Sequence, residues 1–269
     1  MEVIIKKDYS DMCDEAVRLI HQTWQKGENL VLGLATGKTP LGVYDRLIRL
    51  HREQQMDFSD VLAFSLDEYL GLPDNHSQSF VFYMQQNFYQ HINIKEENIF
   101  HLRGLPDHIE THCREYETKI QEVGGIDIQI LGIGENGHIG FNEPSSSLSS
   151  RTRVKTLTQE TIAANAHFFH HQDEIPRYCL TMGIGTIMES RMILLLASGE
   201  EKSAAIQQSI EGPITASVPA SILQLHPQAK FIIDEEAASK LARKSYYKWV
   251  YEHKDKVDDF LAKKRKRTD

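Results

Sequence analysis

The sequence predicts an α/β fold with one mostly parallel sheet, because short apolar runs alternate with longer amphipathic segments along the whole chain. Several of the runs are continuous stretches of Val, Ile and Leu, as in parallel strands that helices cover on both faces. With 269 residues, 41% of them hydrophobic, the chain is long enough to bury one large core. We therefore expect a single domain over 1–269, with helices on both faces of the sheet.

The predicted strands are short, mostly apolar runs, and the predicted helices are longer stretches with a period near 3.6 residues. The strands are Val3–Ile5, Asn29–Leu34, Val61–Ser65, Ile126–Leu131, Arg151–Lys155, Met192–Ala197 and Lys230–Ile233. The helices are 10–26, 40–54, 77–91, 108–122, 158–169, 200–210 and 235–250. The aromatic residues of 77–91 have helical spacing, so we expect them to pack in the core.

The charge balance argues against one class of function. The chain has 30 Lys and Arg against 38 Asp and Glu, which gives a net charge of −8 with His neutral. General nucleic-acid binders carry a basic patch, so we expect no nucleic-acid partner. The dense basic run 263–267 is the exception. A localisation or nucleic-acid patch there is the alternative to the disordered tail that we expect over 263–269.

The cysteine content and the N-terminus predict a cytoplasmic protein. Cys13, Cys113 and Cys179 lie far apart and form no CxxC pair, so neither a zinc site nor a disulfide framework is expected. The N-terminus lacks the basic and apolar regions of a signal peptide. No apolar run approaches the roughly 20 residues that span a bilayer. We expect reduced, buried thiols and no membrane partner.

Polar and glycine residues follow three of the predicted strands at their carboxyl ends. Segment 35–40 (ATGKTP) follows the second strand, 66–69 (LDEY) the third and 132–144 (GIGENGHIGFNEP) the fourth. In open parallel sheets, ligands bind in the crevice beyond these ends. We therefore expect the three segments to meet in one site.

The first of these segments is predicted to bind a phosphate. Its tripeptide 37–39 (GKT) ends like a nucleotide-binding P-loop, but that motif needs a glycine where the chain has Leu32. Pro40 suits the first turn of a helix. Free backbone N–H groups and the helix dipole attract an anion to such a start. The alternative is an ordinary helix start that is capped by Thr39.

Segment 132–137 matches GxGxxG by its letters, but its context argues against a dinucleotide site. A dinucleotide fingerprint opens a helix and meets an acidic residue about 20 positions later. Here HIGFNEP follows, and no Asp or Glu lies between Glu143 and Glu160. We therefore expect no nucleotide cofactor.

His138 and Glu143 are the more informative pair of this segment. They lie five residues apart on a glycine-broken loop, with Asn136 and Asn142 nearby. An imidazole with a pKa of about 6.5 can take and give protons at neutral pH, and an adjacent carboxylate orients its ring. The spacing is not that of HExxH, so we expect no metal. The alternative is a histidine that only caps the loop.

Asp67 and Glu68 supply a second pair of candidate groups at a strand end. Neighbouring carboxylates shift each other's pKa, as a general base requires. Consecutive side chains of a strand point in opposite directions, so only one of the two is expected to face the crevice. The alternative is a solvated acidic loop.

Taken with the phosphate loop and the histidine, these groups predict proton transfer on a phosphorylated metabolite, for which a sugar phosphate is the natural candidate.

These motifs, in this order, resemble those of the glucosamine-6-phosphate isomerase family, which includes the glucosamine-6-phosphate deaminases. The resemblance is carried by LGLATGKTPLGVYDRL (32–47), FSLDEYLGL (64–72), SFVFYMQQNF (79–88), LGIGENGHIGFNEPSSSLSSRTRVKTLT (131–158) and SVPASILQLHP (217–227). It implies a Rossmann-like fold that is shared with ribose-5-phosphate isomerase and 6-phosphogluconolactonase. It also implies conversion of glucosamine 6-phosphate and water to fructose 6-phosphate and ammonia, in amino-sugar catabolism.

The resemblance implies a role for each catalytic candidate. His138 matches the histidine that moves a proton between the ring and anomeric oxygens as the pyranose opens, and Glu143 matches the carboxylate that works with it. Asp67 matches the base that carries a proton from C2 to C1. Asn136 stands where some members have an aspartate that supports the histidine. An amide there orients His138 without adding charge.

The resemblance also implies a set of phosphate contacts. They are Thr36, Gly37, Lys38, Thr39 and Lys202, together with His167. Lys38 stands where small residues are common, so it adds charge near the phosphate. His167 falls where an arginine contacts the phosphate in well-known members. An imidazole cannot copy bidentate guanidinium binding, so we expect weaker and more pH-dependent substrate binding.

A third set of residues concerns regulation. Ser146, Arg153, Lys155 and Thr156 match positions that form an N-acetylglucosamine 6-phosphate allosteric site in hexameric members. Smaller members lack this regulation, and a basic strand edge in contact with solvent is the alternative. The expected partner is a small-molecule sugar phosphate, and a homo-oligomer is left open.

Two other functions compete with the deaminase. A 6-phosphogluconolactonase shares the fold and the phosphate loop but hydrolyses an ester, and the Asp67 base argues instead for proton abstraction from carbon. A sugar-phosphate sensor of the kind joined to bacterial regulators needs a DNA-binding helix-turn-helix. We expect none, because the first strand starts by Val3.

Overall fold

The computed structural model describes residues 1–25, 29–165 and 175–254. Its strands are β1 (Glu2–Lys6), β2 (Val31–Leu34), β3 (Leu62–Ser65), β4 (Asp67–Tyr69), β5 (Ile99–Phe100), β6 (Ile128–Leu131), β7 (Arg153–Thr156), β8 (Tyr178–Thr181), β9 (Met192–Ala197) and β10 (Ala229–Asp234). Its α-helices are α1 (Tyr9–Trp24), α2 (Lys38–Arg52), α3 (Phe80–Asn87), α4 (Ile109–Glu122), α5 (Gln159–Asn165), α6 (Ile184–Met188), α7 (Ser203–Glu211) and α8 (Lys244–Glu252). Short 3₁₀ helices lie at Tyr89–His91, Glu96–Asn98, Glu200–Lys202 and Pro219–Leu225.

A seven-stranded sheet forms the centre of the fold, in the order β1-β10-β9-β6-β2-β3-β5. Each neighbouring pair of its strands is parallel. Strands β2, β6 and β10 are buried along their whole length, as expected where helices cover both faces. The predicted fold class, a mostly parallel sheet between helices, is confirmed.

The two faces of this sheet belong to separate hydrophobic clusters. On β10, Phe231 and Ile233 pack into one cluster, whereas Ile232, which lies between them, packs into the other. The first cluster includes side chains of α4, α6 and α7, and the second includes those of α1, α2 and α3. The alternation of side chains along each strand therefore requires apolar helix faces above and below the sheet.

A second, antiparallel sheet in the order β4-β8-β7 is not among the predicted features. In its register Asp67 lies opposite Thr181. Strand β4 has three residues and includes an Asp-Glu pair, which is atypical of strands. Its pairing with β8, a contact distant in sequence, makes it a strand. This small sheet extends the chain beyond β3 and holds Asp67 at the end of the main sheet.

The C-terminal helix begins later than the sequence predicts. The predicted helix covers 235–250, but α8 starts only at Lys244. The preceding turns bury Ala237, Ala238 and Leu241 in the first cluster. The Asp234 carboxylate also accepts the Ala237 N–H at 2.8 Å. Packing of these side chains against the sheet therefore outweighs the helix propensity of the segment.

Two further features concern the cysteines and the length of the helices. Cys13, Cys113 and Cys179 are buried and free, as predicted. Within the described parts of the chain, we find no helix with both the length and the apolar character that crossing a bilayer requires.

The strand order creates a topological switch point between β2 and β6. From β2 the chain continues to one edge through β3 and β5, whereas from β6 it continues through β9 and β10 toward the other edge. The connections leave the two strands in opposite directions, so a crevice opens at the carboxyl ends of the strands. This crevice positions the site described next.

Candidate active site

A cavity of about 700 Å³ lies at the carboxyl ends of β2, β3 and β6. All three predicted segments line it, as do the start of α3 and a lysine that precedes α7. The predicted site residues among its walls are Thr36, Gly37, Lys38, Thr39, Asp67, Asn136, His138 and Lys202. The structure therefore brings together residues that are up to 166 positions apart, as Thr36 and Lys202 show.

Asp67 supplies a buried carboxylate to this cavity. The residue is only 6% exposed. Burial, followed by repulsion from Glu68, raises the pKa of Asp67 to about 8. Among the residues that the structure describes, we find no hydrogen-bond donor to this carboxylate that would offset the burial. A buried carboxylate with its pKa near neutrality on a cavity wall is a candidate general base.

Glu68, the neighbouring carboxylate, points away from the cavity and fixes the start of α3. Its Oε1 accepts the backbone N–H groups of Tyr69 at 2.8 Å and Phe80 at 3.0 Å, and its Oε2 accepts that of Val81 at 3.0 Å. Burial raises the pKa of Glu68 to about 7 although these three donors lower it. The expectation that one member of the pair faces the crevice is confirmed.

Asp67→Asn is expected to stabilise the fold at pH 8. Because burial raises the pKa of Asp67 from 3.8 to about 8, the unfolded chain releases this proton at lower pH than the folded chain does. Wild-type stability therefore falls as the pH rises through this window, by an amount on the order of a few kcal/mol. The neutral amide avoids that cost. Urea denaturation of both proteins at pH 5 and pH 8 checks this, and an equal difference at the two pH values would contradict it.

His138 and Glu143 lie side by side on the loop after β6. Nδ1 of His138 lies 3.2 Å from Oε2 of Glu143, which makes an ion pair whenever the imidazole is protonated. The Asn136 amide donates to the same Oε2 at 3.0 Å. Its carbonyl oxygen accepts the backbone N–H of His138 at 3.1 Å. Asn136 thus acts on the carboxylate and the loop backbone, whereas the sequence analysis expects it to orient the imidazole.

Glu143 is held in its charged form. It is 1% exposed, and burial by itself would raise its pKa. Hydrogen bonds and charge attraction from His138, Thr161 and Asn136 outweigh burial and lower the pKa to about 2. The Thr161 hydroxyl, on α5, donates to Oε1 at 2.5 Å. Sequence analysis missed Thr161, because the contact joins a loop to a helix 18 positions away.

The glycine pattern of 132–137 has a steric explanation in the structure. At Gly134, an added Cβ would lie 2.2 Å from Cε1 of the His138 ring. The ring therefore needs a glycine beneath it. Gly137 has a φ of 82°, a conformation that favours glycine. Gly134 and Gly137 thus serve the placement of the histidine.

The predicted phosphate segment forms the start of α2. Gly37, with a φ of 109°, takes the N-cap position, which the alternative interpretation gives to Thr39. Among the residues that the structure describes, no side chain caps this end of the helix. Lys38, on the first turn of α2, and Lys202 both line the cavity. Backbone N–H groups without helical partners and two cationic side chains together favour an anion here. His167, the other predicted phosphate contact, lies outside the described residues.

Of the aromatic residues of 77–91 that the sequence analysis expects in the core, Phe88 and Tyr89 are buried there, whereas Phe80 and Tyr83 line the cavity. Phe80 stacks on Phe141 with a centroid separation of 5.9 Å, and Tyr69 packs against both rings. Tyr83 also lines the cavity. On α3, Phe80 and Tyr83 recur at a spacing of three, so they share one helix face. The sequence shows this spacing, but the spacing alone does not indicate whether the shared face contacts the core or a cavity.

The family model of the glucosamine-6-phosphate isomerases and 6-phosphogluconolactonases matches residues 7–232. The chain belongs to this family. A glucosamine-6-phosphate deaminase of Thermoanaerobacter pseudethanolicus is 50% identical over 239 residues, which cover 89% of this chain and 94% of that protein. A glucosamine-6-phosphate deaminase of Corynebacterium kroppenstedtii is 49% identical over 258 residues, 96% of this chain and 98% of the relative.

Solved structures of the family agree in fold. One neighbour is a glucosamine-6-phosphate deaminase that is described as monomeric. It superposes with a TM-score of 0.86 at 45% identity, and the match covers 89% of this chain and 99% of the neighbour's chain. A 6-phosphogluconolactonase from Trypanosoma cruzi gives a TM-score of 0.68 at 20% identity, with 90% and 97% covered. The second likeness establishes only the shared fold.

The residues that match the allosteric site of hexameric family members are only partly brought together. Arg153, Lys155 and Thr156 lie on β7, where alternation places Thr156 on the face opposite to the two basic side chains. The Arg153 guanidinium donates to the Asn142 side-chain oxygen at 2.9 Å, one residue from Glu143. The Ser146 hydroxyl is buried, without a hydrogen-bond partner among the described residues. This region therefore contacts the loop that carries His138.

The site offers acid–base groups and an anion cradle. Within residues 1–25, 29–165 and 175–254, no three His, Cys, Asp or Glu side chains are grouped so that they could hold a metal ion. The cavity wall combines a carboxylate of raised pKa, a histidine beside a carboxylate of lowered pKa and a helix start that carries Lys38. Proton transfer on a phosphorylated substrate is the chemistry that this family site supports.

Proposed function

We propose that this chain converts glucosamine 6-phosphate and water to fructose 6-phosphate and ammonia, in the breakdown of amino sugars. The observation that carries the proposal is the cavity of about 700 Å³ that Asp67, His138 and the start of α2 line together, with Glu143 3.2 Å from the His138 imidazole. An isomerisation followed by deamination needs a base for a carbon-bound proton, an acid–base group at the ring oxygen and an anchor for the phosphate. Each requirement has a candidate on the cavity wall.

The phosphate anchor sets the position of the sugar. Thr36, Gly37, Lys38, Thr39 and Lys202 are the proposed contacts, and His167 is added on the family resemblance alone. A phosphate at the start of α2 interacts with free N–H groups and with two lysine charges. A phosphate on C6 that is anchored here leaves C1 and C2 to face the rest of the cavity wall, to which Asp67 and His138 belong.

Ring opening is assigned to the imidazole of His138. It accepts the proton of the C1 hydroxyl and delivers a proton to the ring oxygen, while the bond between C1 and that oxygen breaks and C1 becomes an aldehyde. Glu143, which stays ionised because its pKa is about 2, stabilises the protonated imidazole between the two transfers. Asn136 and Thr161 are positioning residues, since both donate to the Glu143 carboxylate.

Isomerisation is assigned to Asp67. Its carboxylate takes the C2 proton of the open-chain aldehyde as the C1 oxygen gains a proton, and a C1–C2 enolamine forms. Return of the proton to C1 leaves an iminium ion at C2, which becomes an imine when it releases one N–H proton and so balances the proton gained by the C1 oxygen. Water adds to this imine, ammonia leaves, and the C2 ketone of fructose 6-phosphate remains. A carboxylate with a pKa of about 8 is a stronger base than an exposed one, which suits a carbon-bound proton.

Lactone hydrolysis is the alternative activity in this family, and it fits the site less well. Hydrolysis of an ester requires no base for a carbon-bound proton, whereas the buried Asp67 is placed as one. The relatives at 49–50% identity are named deaminases, and the lactonase neighbour from Trypanosoma cruzi is only 20% identical.

The test is product release from glucosamine 6-phosphate. We expect ammonia and fructose 6-phosphate in equal amounts, each measured by a coupled dehydrogenase assay, and no comparable hydrolysis of 6-phosphogluconolactone. Lactone hydrolysis without ammonia release would favour the lactonase. No turnover by a folded protein that still binds the sugar phosphate would favour a sensor.

We also propose that N-acetylglucosamine 6-phosphate binds at Ser146, Arg153, Lys155 and Thr156. The link from Arg153 through Asn142 to the segment of Glu143 supports coupling to the active site. The expected result is a severalfold lower KM for glucosamine 6-phosphate when this ligand is added, and loss of the effect in Arg153→Ala. An unchanged KM in the wild type would dismiss the allosteric site.

The remaining proposals concern the setting of the enzyme. We place it in the cytoplasm as a single domain over 1–269, whose partner is a sugar phosphate. The homo-oligomer stays open, and the related deaminase of known structure is described as monomeric. Size-exclusion chromatography with light scattering distinguishes a monomer from a hexamer.

A further inference from the structure

Three consecutive carbonyl groups around the start of α2 contact the hydroxyl groups of tyrosines from other helices. Tyr83 on α3 donates to the carbonyl oxygen of Gly37 at 2.7 Å. Tyr9 on α1 lies 3.2 Å from the carbonyl oxygen of Lys38 and 3.1 Å from that of Thr39. The backbone of the proposed phosphate site therefore contacts side chains of two other helices, α1 and α3, which are distant from it in sequence.

These contacts fix the direction of the backbone donors. In a trans peptide the C=O and N–H bonds point in opposite directions, and the described residues contain no cis peptide bond. Holding the Gly37 carbonyl therefore sets the direction of the Lys38 N–H, and holding the Lys38 carbonyl sets that of the Thr39 N–H. Both N–H groups belong to the first turn of α2, where no helical partner is available and an anion binds.

Tyr9 belongs to α1, and α2 also fixes the position of its hydroxyl group. The Tyr9 hydroxyl accepts the backbone N–H of Gly42 at 2.8 Å. A Cβ added at Gly42 would lie 2.7 Å from the hydroxyl oxygen of Tyr9. A glycine inside a helix lowers helix stability. Here it provides the space through which the phenol reaches the first turn, so Tyr9 both donates to and accepts from α2.

Tyr83 connects the phosphate turn to the segment of the proposed base. The first turn of α3 is fixed by the Glu68 carboxylate, which accepts the N–H groups of Phe80 and Val81. Glu68 follows Asp67 in the chain. The hydroxyl of Tyr83, on the first turn of the same helix, holds the Gly37 carbonyl. α3 thus acts as a spacer between the carboxylate pair and the phosphate turn.

We propose that Tyr9 and Tyr83, together the tyrosine clamp, are positioning residues that preorganise the phosphate-binding turn before the substrate arrives. Preorganisation lowers the conformational cost that binding would otherwise carry, so the clamp should increase phosphate affinity. The identity of the ligand rests on the proposed function. The protonation of both phenols agrees with their roles as donors, since burial raises the pKa of each to about 12.

The test compares Tyr9→Phe, Tyr83→Phe and the double variant with the wild type. The matched control is Tyr246→Phe on α8, a tyrosine that is 60% exposed. Calorimetric titration with inorganic phosphate reports the site without turnover. We expect each single clamp variant to raise the Kd for phosphate by about threefold to tenfold, the size of one lost hydrogen bond, and the double variant to raise it further. KM for glucosamine 6-phosphate should rise by a similar factor, with kcat nearly unchanged.

Backbone NMR supplies a readout that a general loss of stability would not move. In the wild type, the amide resonances of Lys38 and Thr39 should shift as phosphate is added. The proposal would be overturned if Tyr9→Phe and Tyr83→Phe bound phosphate with the same Kd as Tyr246→Phe. A fall in Tm without weaker phosphate binding would overturn it as well. Weaker phosphate binding in the clamp variants supports the clamp even if glucosamine 6-phosphate is not turned over, so the two proposals fail separately.

Discussion

Asp67→Asn is expected to lower kcat for ammonia release by about 10²- to 10⁴-fold, the contribution of a positioned general base. The amide is nearly the same size as the carboxylate but cannot accept the C2 proton. Because only the ionised form of Asp67 is a base and burial raises its pKa to about 8, wild-type kcat/KM should rise with pH toward that value. Initial rates of ammonia release between about pH 6 and 9 measure both effects.

The control for this variant is Asp60→Asn, because the Asp60 side chain is 71% exposed and pairs only at the surface with Lys95. It should retain wild-type kcat. Urea denaturation shows that a loss of activity is not a loss of folding, since Asp67→Asn should be inactive and yet more stable than the wild type at pH 8. A variant that keeps more than a tenth of wild-type turnover would remove Asp67 from the role of base.

His138→Gln is expected to lower kcat by about 10²-fold or more, because glutamine cannot take a proton from one oxygen and return it to another. The change also removes the partner of the Glu143 carboxylate, whose Oε2 lies 3.2 Å from the imidazole. The pKa of Glu143 should then rise from about 2, since the histidine is the largest of the influences that lower it. Turnover assays and carboxylate titration by NMR measure the two consequences.

His253→Gln is the matched control for the imidazole. His253 stacks on Trp249 at the end of α8, outside the cavity. It should show wild-type rates. If His138→Gln opened the pyranose ring at the wild-type rate, the assignment of ring opening to His138 would be wrong, whatever the effect on later steps.

Much of the fold follows from local patterns. The predicted strands Met192–Ala197 and Val3–Ile5 are found as β9 and as the centre of β1, since continuous apolar runs of this kind require burial on both faces. The pattern did not predict β4, where polar residues form a strand by pairing with β8. It also did not show that 235–243 packs as turns, because the packing partners lie on distant elements.

The candidate site shows the same division between local and distant information. The positions of Asp67, His138 and the 36–39 segment follow from the rule that ligands bind at the carboxyl ends of parallel strands, which needs only the order of strands and polar segments. The partner of a side chain within the site depends on the register between elements. The contact of Asn136 with Glu143 is one example, and that of Thr161 with the same carboxylate is another.

Local sequence patterns are enough to predict the fold class, the family resemblance, the three segments of the site and the carboxylates and histidine within them. Periodicity, motif spacing and strand-end placement are properties of neighbouring residues, so they can be recognised along the chain. Contacts between distant elements establish that Asp67 faces the cavity while Glu68 caps α3, and that Tyr9 and Tyr83 contact the carbonyl groups at the start of α2. The physical reason is that burial and hydrogen-bond geometry depend on side chains from separate elements, whose distances are set only when the helices pack on the sheet.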